Sequence, residues 1–285
     1  MADMIDLHVH STYSDGTLSP EELTQLAEDI NLDALALCDH NTVAGLPKFL
    51  AAAQGKHFHP IPGIEFSTDY RGTELHILGL FIEPEHYTAV TEKVNWMLRQ
   101  KETRNRDLIR ALNGAGISLD YEEIAAGTPD GYVNRAVIGA EMVRRGYCDS
   151  VKECFQRWLS PNCGFYVPAP KLDVFDVIRF IQSIGAVSVL AHPFLNLDED
   201  GLVEFLKQAV PCGLDAMEVF YTKFSHEQTK RACAIAEEFG LAFSGGSDFH
   251  GENKPDTNLG TGRGNLRISR EILEELISRR QNKSF

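Results

Sequence analysis

Short apolar segments recur along the 285-residue chain, and a histidine or a carboxylate stands at or near the end of most of them. The opening segment carries His8 and His10, which on a β-strand point to the same side because they are two positions apart. Near the other end of the chain, Asp248 and His250 repeat this spacing after another apolar run. A lone His-x-His pair is equally typical of two partly buried imidazoles. Its repetition at several segment ends predicts a metal site assembled from many strands.

The apolar segments alternate with helical patterns over much of the chain. Seven strands are predicted, at residues 3–9, 33–38, 58–66, 74–81, 186–191, 214–220 and 241–244. Ser19, Pro20 and Glu22 are typical of a helix start, as N-cap, first and third residue. Alternation of this kind predicts a largely parallel α/β sheet covered on both faces. In α/β barrels the active site lies at the C-terminal ends of the strands.

One connection breaks the alternation. Only the ten residues 66–75 separate Glu65 from His76, which is too short for a parallel crossover. We therefore predict an antiparallel hairpin that turns at residues 69–72 and places Glu65 directly opposite His76, with Cβ atoms about 5 Å apart. This pair is suited to hold a cation, and an ordinary charged surface hairpin is the alternative.

Residues 86–165 carry helical patterns without a convincing strand. A long helix is predicted from Glu85 to about Asn113, followed by shorter helices at 120–126, 134–145 and 149–160. We interpret this block as an all-helical insertion that caps the active site. The barrel domain is then formed by residues 1–85 and 166–285.

The composition limits the partners of the chain. A formal net charge of −14 and a pI near 5.1 disfavour binding to long nucleic acids or anionic membranes. A small phosphorylated substrate remains compatible, because bound divalent ions reverse the sign of the local field. No apolar run approaches the roughly 18 residues of a membrane span. Six cysteines without metal-site spacing are interpreted as reduced thiols, so we expect a cytoplasmic protein.

Six histidines and three carboxylates are the candidate metal ligands: His8, His10, Asp15, His40, Glu65, His76, His192, Asp248 and His250. Imidazole combined with carboxylate suits Mn, Fe or Zn better than Ca or Mg. Nine ligands are too many for one ion. We therefore predict two to three divalent ions, about 4 Å apart and bridged by a shared carboxylate.

Five segments together resemble the successive motifs of the PHP (polymerase and histidinol phosphatase) family: residues 6–11, 38–41, 63–65, 191–193 and 246–250. The resemblance spans about residues 1–82 and 165–265. It is strongest to the stand-alone TrpH-type phosphoesterases, which include 3′,5′-nucleoside bisphosphate phosphatases and 5′→3′ exoribonucleases. It implies a distorted (β/α)7 barrel with a trinuclear metal site, in agreement with the seven predicted strands.

The resemblance also implies how the ligands divide among three ions: His8, His10, Glu65 and Asp248 for the first, Glu65 with His76 and His192 for the second, and Asp15, His40 and His250 for the third. Metal-bound imidazoles usually donate their other ring N–H to a carboxylate or carbonyl. Asp39, beside His40, is expected to be such a partner.

The inserted helical domain of this family commonly presents Gly-Arg-Pro-His before a helix, and the matching segment here is residues 132–139. Arg135 matches the arginine and is the candidate for binding a substrate phosphate, with Asn134 assisting. Ala136 and Val137 replace the Pro-His pair, a departure that bears on the identity of the substrate. An arginine at a surface helix start is the alternative interpretation.

The expected chemistry is hydrolysis by metal-activated hydroxide, because ions that share a water lower its pKa and neutralise the phosphoryl oxygens. Glu65 and Asp248 are the catalytic carboxylates in this scheme, and Arg135 stabilises charge or orients a second phosphate. His226, which follows a predicted strand, is a candidate for protonating the leaving group. A surface histidine at a helix N-terminus is the alternative for His226.

The sequence thus predicts a metal-dependent phosphoesterase that hydrolyses a phosphate monoester of a small substrate, with a nucleoside 3′,5′-bisphosphate as the leading candidate. Three alternatives remain open. The same chemistry would serve a 5′→3′ exoribonuclease acting on short RNA ends, or a histidinol-phosphate phosphatase. A non-enzymatic regulatory barrel would be indicated by lost ligands, yet every expected ligand position is filled.

Overall fold

The computed structural model describes residues 4–128, 133–168 and 170–283, except for the side chain at position 98. Asp3, the predicted start of the first strand, and Tyr132, the first residue of the segment 132–139, lie outside this range. Two compact units are distinguished by their internal contacts: Met1–Thr91 with Leu172–Phe285, and Glu92–Lys171.

The described residues of the first unit form eight strands: β1 Ile5–Val9, β2 Ala34–Leu37, β3 His59–Tyr70, β4 Thr73–Leu80, β5 Leu172–Asp173, β6 Val187–Leu190, β7 Ala216–Tyr221 and β8 Ala242–Gly246. Seven of them correspond to the predicted strands, with ends that differ by a few residues. The eighth, β5, has two residues and pairs with the extended end of β3.

The strands form one strongly curved sheet in the order β1-β2-β3-β4-β6-β7-β8. All neighbouring pairs are parallel except those of β4, which runs antiparallel to both β3 and β6. A parallel bridge between Val9 and Phe249 joins the end of β8 to β1. The resulting barrel-like sheet, with one reversed strand, confirms the predicted distorted (β/α)7 barrel.

Five helices lie between the described strands of this unit and a sixth follows β8: α1 Pro20–Asp29, α2 Leu46–Ala52, α7 Val174–Ser183, α8 Glu199–Ala209, α9 His226–Glu238 and, after β8, α10 Arg270–Gln281. The start of α1 confirms the sequence prediction, because the Ser19 and Glu22 side chains form a reciprocal capping box. A buried apolar cluster joins the strands to α10 through Leu273 and Leu276. Burial of this apolar area stabilises the barrel.

The β3–β4 hairpin is present, but the predicted register is wrong. Tyr70 pairs with Thr73 around a two-residue turn, so Glu65 lies opposite Leu78, and His76 lies opposite Ser67. Both turn residues, Arg71 and Gly72, have positive φ (53° and 86°), as a type I′ turn requires. That turn fits the right-handed twist of the strands and shifts the pairing by one residue on each strand. Glu65 and His76 stay on one face as diagonal neighbours.

The second unit is helical in its described residues, with α3 Tyr87–Gly114, α4 Tyr121–Ala126, α5 Arg135–Arg144 and α6 Val151–Cys154, the last continued by a π-helical turn at Phe155–Leu159. It has its own buried core, which includes Leu108, Leu112, Ile138 and Met142. The contact boundaries lie at 91/92 and 171/172, whereas the predicted ones lie at 85/86 and 165/166. Helix α3 crosses the first boundary. None of the described helices is both long and apolar enough to span a membrane.

Candidate metal centre

The nine predicted ligands lie on, or within a few residues after, the strands β1, β2, β3, β4, β6 and β8. The backbone at His40 continues the pairing of β2 with β3, in a parallel bridge to Glu65. Further around the sheet, the Ala191 N–H donates to the His76 carbonyl, which places His192 beside β4. Residues from strands far apart in sequence therefore converge at one end of the barrel, as is typical of α/β barrel active sites.

Closure of the barrel joins the first and the last ligand pairs. The Asp248 N–H donates to the His8 carbonyl at 2.9 Å, and the His10 N–H donates to the Phe249 carbonyl at 3.0 Å. Gly246 permits this approach, because a Cβ at that position would lie 2.4 Å from the Cβ of His8. Real Cβ atoms do not approach so closely, so glycine is required here.

Glu65 lies at the centre of the ligand group and is 1% exposed. Its Oε1 is 2.8 Å from Nδ1 of His76 and 3.0 Å from Nε2 of His192. Its Oε2 faces three further imidazole nitrogens: His40 Nδ1 at 2.9 Å, His8 Nε2 at 3.3 Å and His10 Nε2 at 3.3 Å. The two oxygens of one carboxylate therefore face two different sets of histidines.

Four of these atoms are buried and make no hydrogen bond to any described residue: His8 Nε2, His10 Nε2, His40 Nδ1 and Glu65 Oε2. Ligands held about 2.1 Å from one ion lie roughly 3.0–3.4 Å from one another. Two of the three spacings around Glu65 Oε2, both 3.3 Å, fall in that range, and the third, 2.9 Å, lies just below it. Because unpaired buried polar atoms are costly, the arrangement fits divalent metal ions that supply the missing partners.

A second group of ligands surrounds Asp15, whose side chain is half exposed. Its carboxylate lies 3.2 Å from Nε2 of His250, 3.7 Å from Nδ1 of His10 and 3.8 Å from Nε2 of His40. Three overlapping groups in the described residues have the geometry to hold an ion: His10/Asp15/His40/His250, His8/His10/Glu65 and His40/Glu65/His76. His40 lies closer to Glu65 than to Asp15, and the division of ligands among three ions stays a prediction.

The electrostatics of the cluster reflect its density of charge. Burial alone would raise the pKa of Glu65, but the charge of His8 and hydrogen bonds from the surrounding imidazoles hold it well below its usual range. Burial opposes protonation of His76, yet its contacts with Glu65 and Glu74 raise its pKa to about 9. Burial lowers the pKa of His10 to about 3. Imidazoles with such different proton affinities are typical of functional sites.

Two ligands have left-handed backbone conformations, Asp248 with φ 56° and His192 with φ 31°. This region is sparsely populated for residues other than glycine. The surrounding structure stabilises it: the Asp248 N–H bonds to His8, and the His192 N–H donates to Oε2 of Glu218 at 2.7 Å. Backbone strain of this kind is common at functional sites.

The Asp39 prediction is wrong in detail. Asp39 makes no hydrogen bond to an imidazole in the described part of the chain. It accepts from the Ser11 N–H, the Ser11 hydroxyl and the Ser14 hydroxyl, each at 2.7 Å. These three bonds stabilise the loop that carries Asp15.

Among the residues that the sequence reasoning did not select, Glu218, Tyr221 and Lys254 contact the predicted ligands. Glu218 Oε1 lies 2.9 Å from Nδ1 of His8. The Tyr221 hydroxyl and the Lys254 ammonium donate to Oδ2 of Asp248, at 2.8 Å and 2.7 Å. Glu218 had a visible signal, a carboxylate within the apolar run Ala216–Tyr221. Lys254 and Tyr221 had none.

The predicted substrate residues lie in other environments. Nη1 of Arg135 donates to the Leu159 carbonyl at 3.1 Å, and its guanidinium lies 4.2 Å from the centroid of the Tyr166 ring. The Asn134 side chain caps α5 by accepting from the N–H groups of residues 136 and 137. His226 is exposed as the first residue of α9, and in the described residues it contacts neither Glu65 nor Asp248. The roles of all three stay predictions.

The chain was compared with known proteins. It is 33% identical over 251 residues to a 5′-3′ exoribonuclease of Haemophilus influenzae, covering 88% of this chain and 91% of the relative. It is 27% identical over 278 residues to a 3′,5′-nucleoside bisphosphate phosphatase of Chromobacterium violaceum, covering 96% and 97%. A solved structure from Bifidobacterium adolescentis, 24% identical, has the same fold, with a TM-score of 0.70 over 98% of this chain and 97% of that one.

The family comparison agrees with the geometry of the cluster. The model of the PHP domain matches residues 6–162, more than half of the chain, and the matched part includes six of the nine ligands. The chain belongs to the PHP domain family.

Proposed function

We propose that this metal-dependent phosphoesterase hydrolyses the 3′-phosphoester bond of a 5′-phosphorylated nucleoside. The nucleoside 3′,5′-bisphosphate is the smallest such substrate, and a short RNA with a 5′-phosphate is the extended form. In both, the scissile bond joins O3′ to phosphorus. The bisphosphate presents a phosphomonoester there and the RNA a phosphodiester.

The observation that most directly supports this proposal is the set of buried atoms around Glu65 that have no hydrogen-bond partner among the described residues. We assign three ions to the nine ligands and expect Mn, Fe or Zn, because imidazole and carboxylate donors suit these metals. Bound ions supply a nucleophile from water at neutral pH and offset the charge of the phosphoryl oxygens. Glu65 orients two groups of histidines at once, since each of its oxygens faces a different group.

Asp248 and Lys254 stand at the same site with complementary roles. Oδ2 of Asp248 is held by Tyr221 and Lys254, which leaves Oδ1 directed at His10 at 3.3 Å. The Lys254 side chain is 28% exposed. We propose that it also attracts the anionic substrate toward the cluster.

The substrate class is supported by the two relatives reported above. Both named activities act on a nucleotide that can carry a 5′-phosphate, and the exoribonuclease is the more similar in sequence (33% against 27%). The helical unit offers a cationic cavity of about 410 Å³ lined by Lys101, Arg135 and Lys171 together with Asn134 and Tyr166. We propose that Arg135 and Asn134 bind the 5′-phosphate there. The six cysteines of the whole chain are free, which suits a reducing compartment, and we propose the cytoplasm.

The test is phosphate release from adenosine 3′,5′-bisphosphate by the Mn²⁺-loaded protein, beside nucleotide release from a 5′-phosphorylated RNA trimer. The matched negative substrates are the same RNA with a 5′-hydroxyl and adenosine 5′-monophosphate. The Glu65→Gln variant controls for contaminating phosphatases, and we expect it to lose at least about a hundredfold in rate because it removes the shared ligand.

Turnover of either 5′-phosphorylated substrate, with little turnover of the 5′-hydroxyl RNA, is the expected result. The ratio of the two rates assigns the chain to the bisphosphate or to the RNA. Equal rates on RNA with and without the 5′-phosphate would refute recognition of that group. No turnover of any of these substrates by metal-loaded protein would refute the proposed substrate class.

A further inference from the structure

Glu218 is a completely buried carboxylate on β7 that joins two of the metal-ligand histidines. Its Oε1 lies 2.9 Å from Nδ1 of His8. Its Oε2 accepts the backbone N–H of His192 at 2.7 Å. One carboxylate therefore uses both of its oxygens on two ligands that stand 184 positions apart in the sequence.

We propose that Glu218 is a positioning residue that fixes His8 in its metal-binding tautomer and sets the backbone that orients His192. It thereby couples the ligands of two ions through one buried side chain. This inference rests on the metal centre of the proposed function, but not on the identity of the substrate.

The argument for His8 follows from its two ring nitrogens. Nε2 faces Glu65 Oε2 at 3.3 Å, is buried and makes no hydrogen bond, so it is the nitrogen that offers a lone pair to an ion. The proton of the neutral ring must then reside on Nδ1, where an acceptor is needed. Glu218 Oε1 lies 2.9 Å from this nitrogen and supplies that acceptor.

The argument for His192 concerns its backbone. This residue has φ 31°, a left-handed conformation that non-glycine residues rarely adopt. Its N–H is held by Glu218, while its Nε2 lies 3.0 Å from Glu65 Oε1. Loss of the bond to Glu218 would leave a buried N–H unpaired and remove a restraint on the ligand orientation.

An amide at position 218 cannot serve both histidines. Glutamine has nearly the shape of glutamate, but it offers one acceptor oxygen and one NH₂ donor. If the NH₂ group faces His8, the ring proton is favoured on Nε2, and that nitrogen no longer binds a metal. If the NH₂ group faces the His192 N–H, two donors oppose each other. Glu218→Gln therefore weakens one ligand in either orientation.

The first test counts metal ions. Wild type and Glu218→Gln are loaded with Zn²⁺ and dialysed. Inductively coupled plasma mass spectrometry then gives the number of ions per chain, and competition with a chromogenic chelator gives their affinity. We expect fewer bound ions per chain in the variant and about 10- to 100-fold weaker affinity for the ion at His8. Wild-type stoichiometry and affinity in a folded variant would overturn the proposal.

Asp215→Asn is the matched control, since it also changes a carboxylate beside β7, one that is 11% exposed. Oδ2 of Asp215 accepts from Ser188 and Lys283 and contacts none of the nine ligands in the described residues. We expect this control to unfold at a lower temperature but to bind as many ions as wild type. Equal metal loss in both variants would reduce Glu218 to a general structural role and overturn the proposal.

The second test needs no variant and so does not depend on whether Glu218→Gln folds. Long-range nitrogen–proton correlation spectra of the Zn²⁺-loaded wild type, labelled at histidine nitrogen, identify the protonated nitrogen of each ring. We expect His8 to carry its proton on Nδ1, and a proton on Nε2 would overturn the proposal. A wild type that binds no Zn²⁺ would overturn the metal centre as well, whereas normal binding without phosphate release would count only against the proposed substrate.

Discussion

Substitution of Gly246 by alanine tests whether close approach of β8 to β1 builds the metal centre. A Cβ at this position would lie 2.4 Å from the Cβ, 2.6 Å from the N and 2.9 Å from the Cα of His8. Ordinary contact begins near 3.4 Å, so the two strands must separate by about 1 Å. Such a shift moves His8 Nδ1 beyond hydrogen-bond distance of Glu218, now 2.9 Å, and changes the spacing of Nε2 from Glu65. We expect a loss of about 1–3 kcal/mol in the free energy of unfolding, the usual cost of overpacking.

The assay for Gly246→Ala combines thermal unfolding followed by circular dichroism with metal content after dialysis. Each kcal/mol corresponds to about 2–4 °C in a protein of this size class. Gly114→Ala is the matched control, because a Cβ there meets nothing within 4 Å and the residue ends helix α3. The control should melt at or slightly above the wild-type temperature. If Gly246→Ala keeps the metal content and melting temperature of the control, the reasoning from close approach is refuted.

Three further predictions concern the loop, the protons and the ions. Asp39→Asn should lower the free energy of unfolding, measured in urea, by about 1–3 kcal/mol, because an amide cannot accept all three hydrogen bonds from Ser11 and Ser14. An unchanged midpoint of the urea unfolding transition would contradict this prediction. Metal affinity should rise from neutral pH to about pH 9, because His76, with its raised pKa, must release a proton to bind an ion. Calorimetry in two buffers measures the proton release, and a metal affinity that does not change with pH would contradict this prediction. Removal of metal by a chelator should lower the melting temperature, and Mn²⁺ at a hundred times its Kd should restore about 2.7 kcal/mol of the free energy of unfolding. Identical melting temperatures with and without the ion would exclude a bound metal.

Local patterns in the sequence predicted the strands and the residues at their ends. The apolar run at Ile5–Val9 and its histidines are readable without a structure, because period-two alternation and strand length are properties of neighbouring residues. The N-cap at Ser19 was predicted for the same reason. The metal chemistry also followed from residue types, since imidazole and carboxylate at many strand ends have few other uses.

Register was the first property that the sequence left open. Pairing of β3 with β4 was predicted, but the turn is centred on Arg71 and Gly72, one residue further along the chain than the predicted turn at residues 69–72. Both registers keep Glu65 and His76 on one face, so the side-chain pattern does not discriminate between them. The positive φ of both turn residues decided the outcome.

By itself the sequence determined seven of the strands, the side chains that are candidates for binding metal and the family that the chain resembles, because each of these depends on residue type and short-range spacing. Only the tertiary structure decided which partner each buried polar group has. Glu218 was a carboxylate in an apolar run until the fold brought it to His8, 210 positions away. Asp39 was expected beside an imidazole and instead holds Ser11 and Ser14. Such partners depend on barrel closure and backbone conformation, which bring together residues that no local pattern connects.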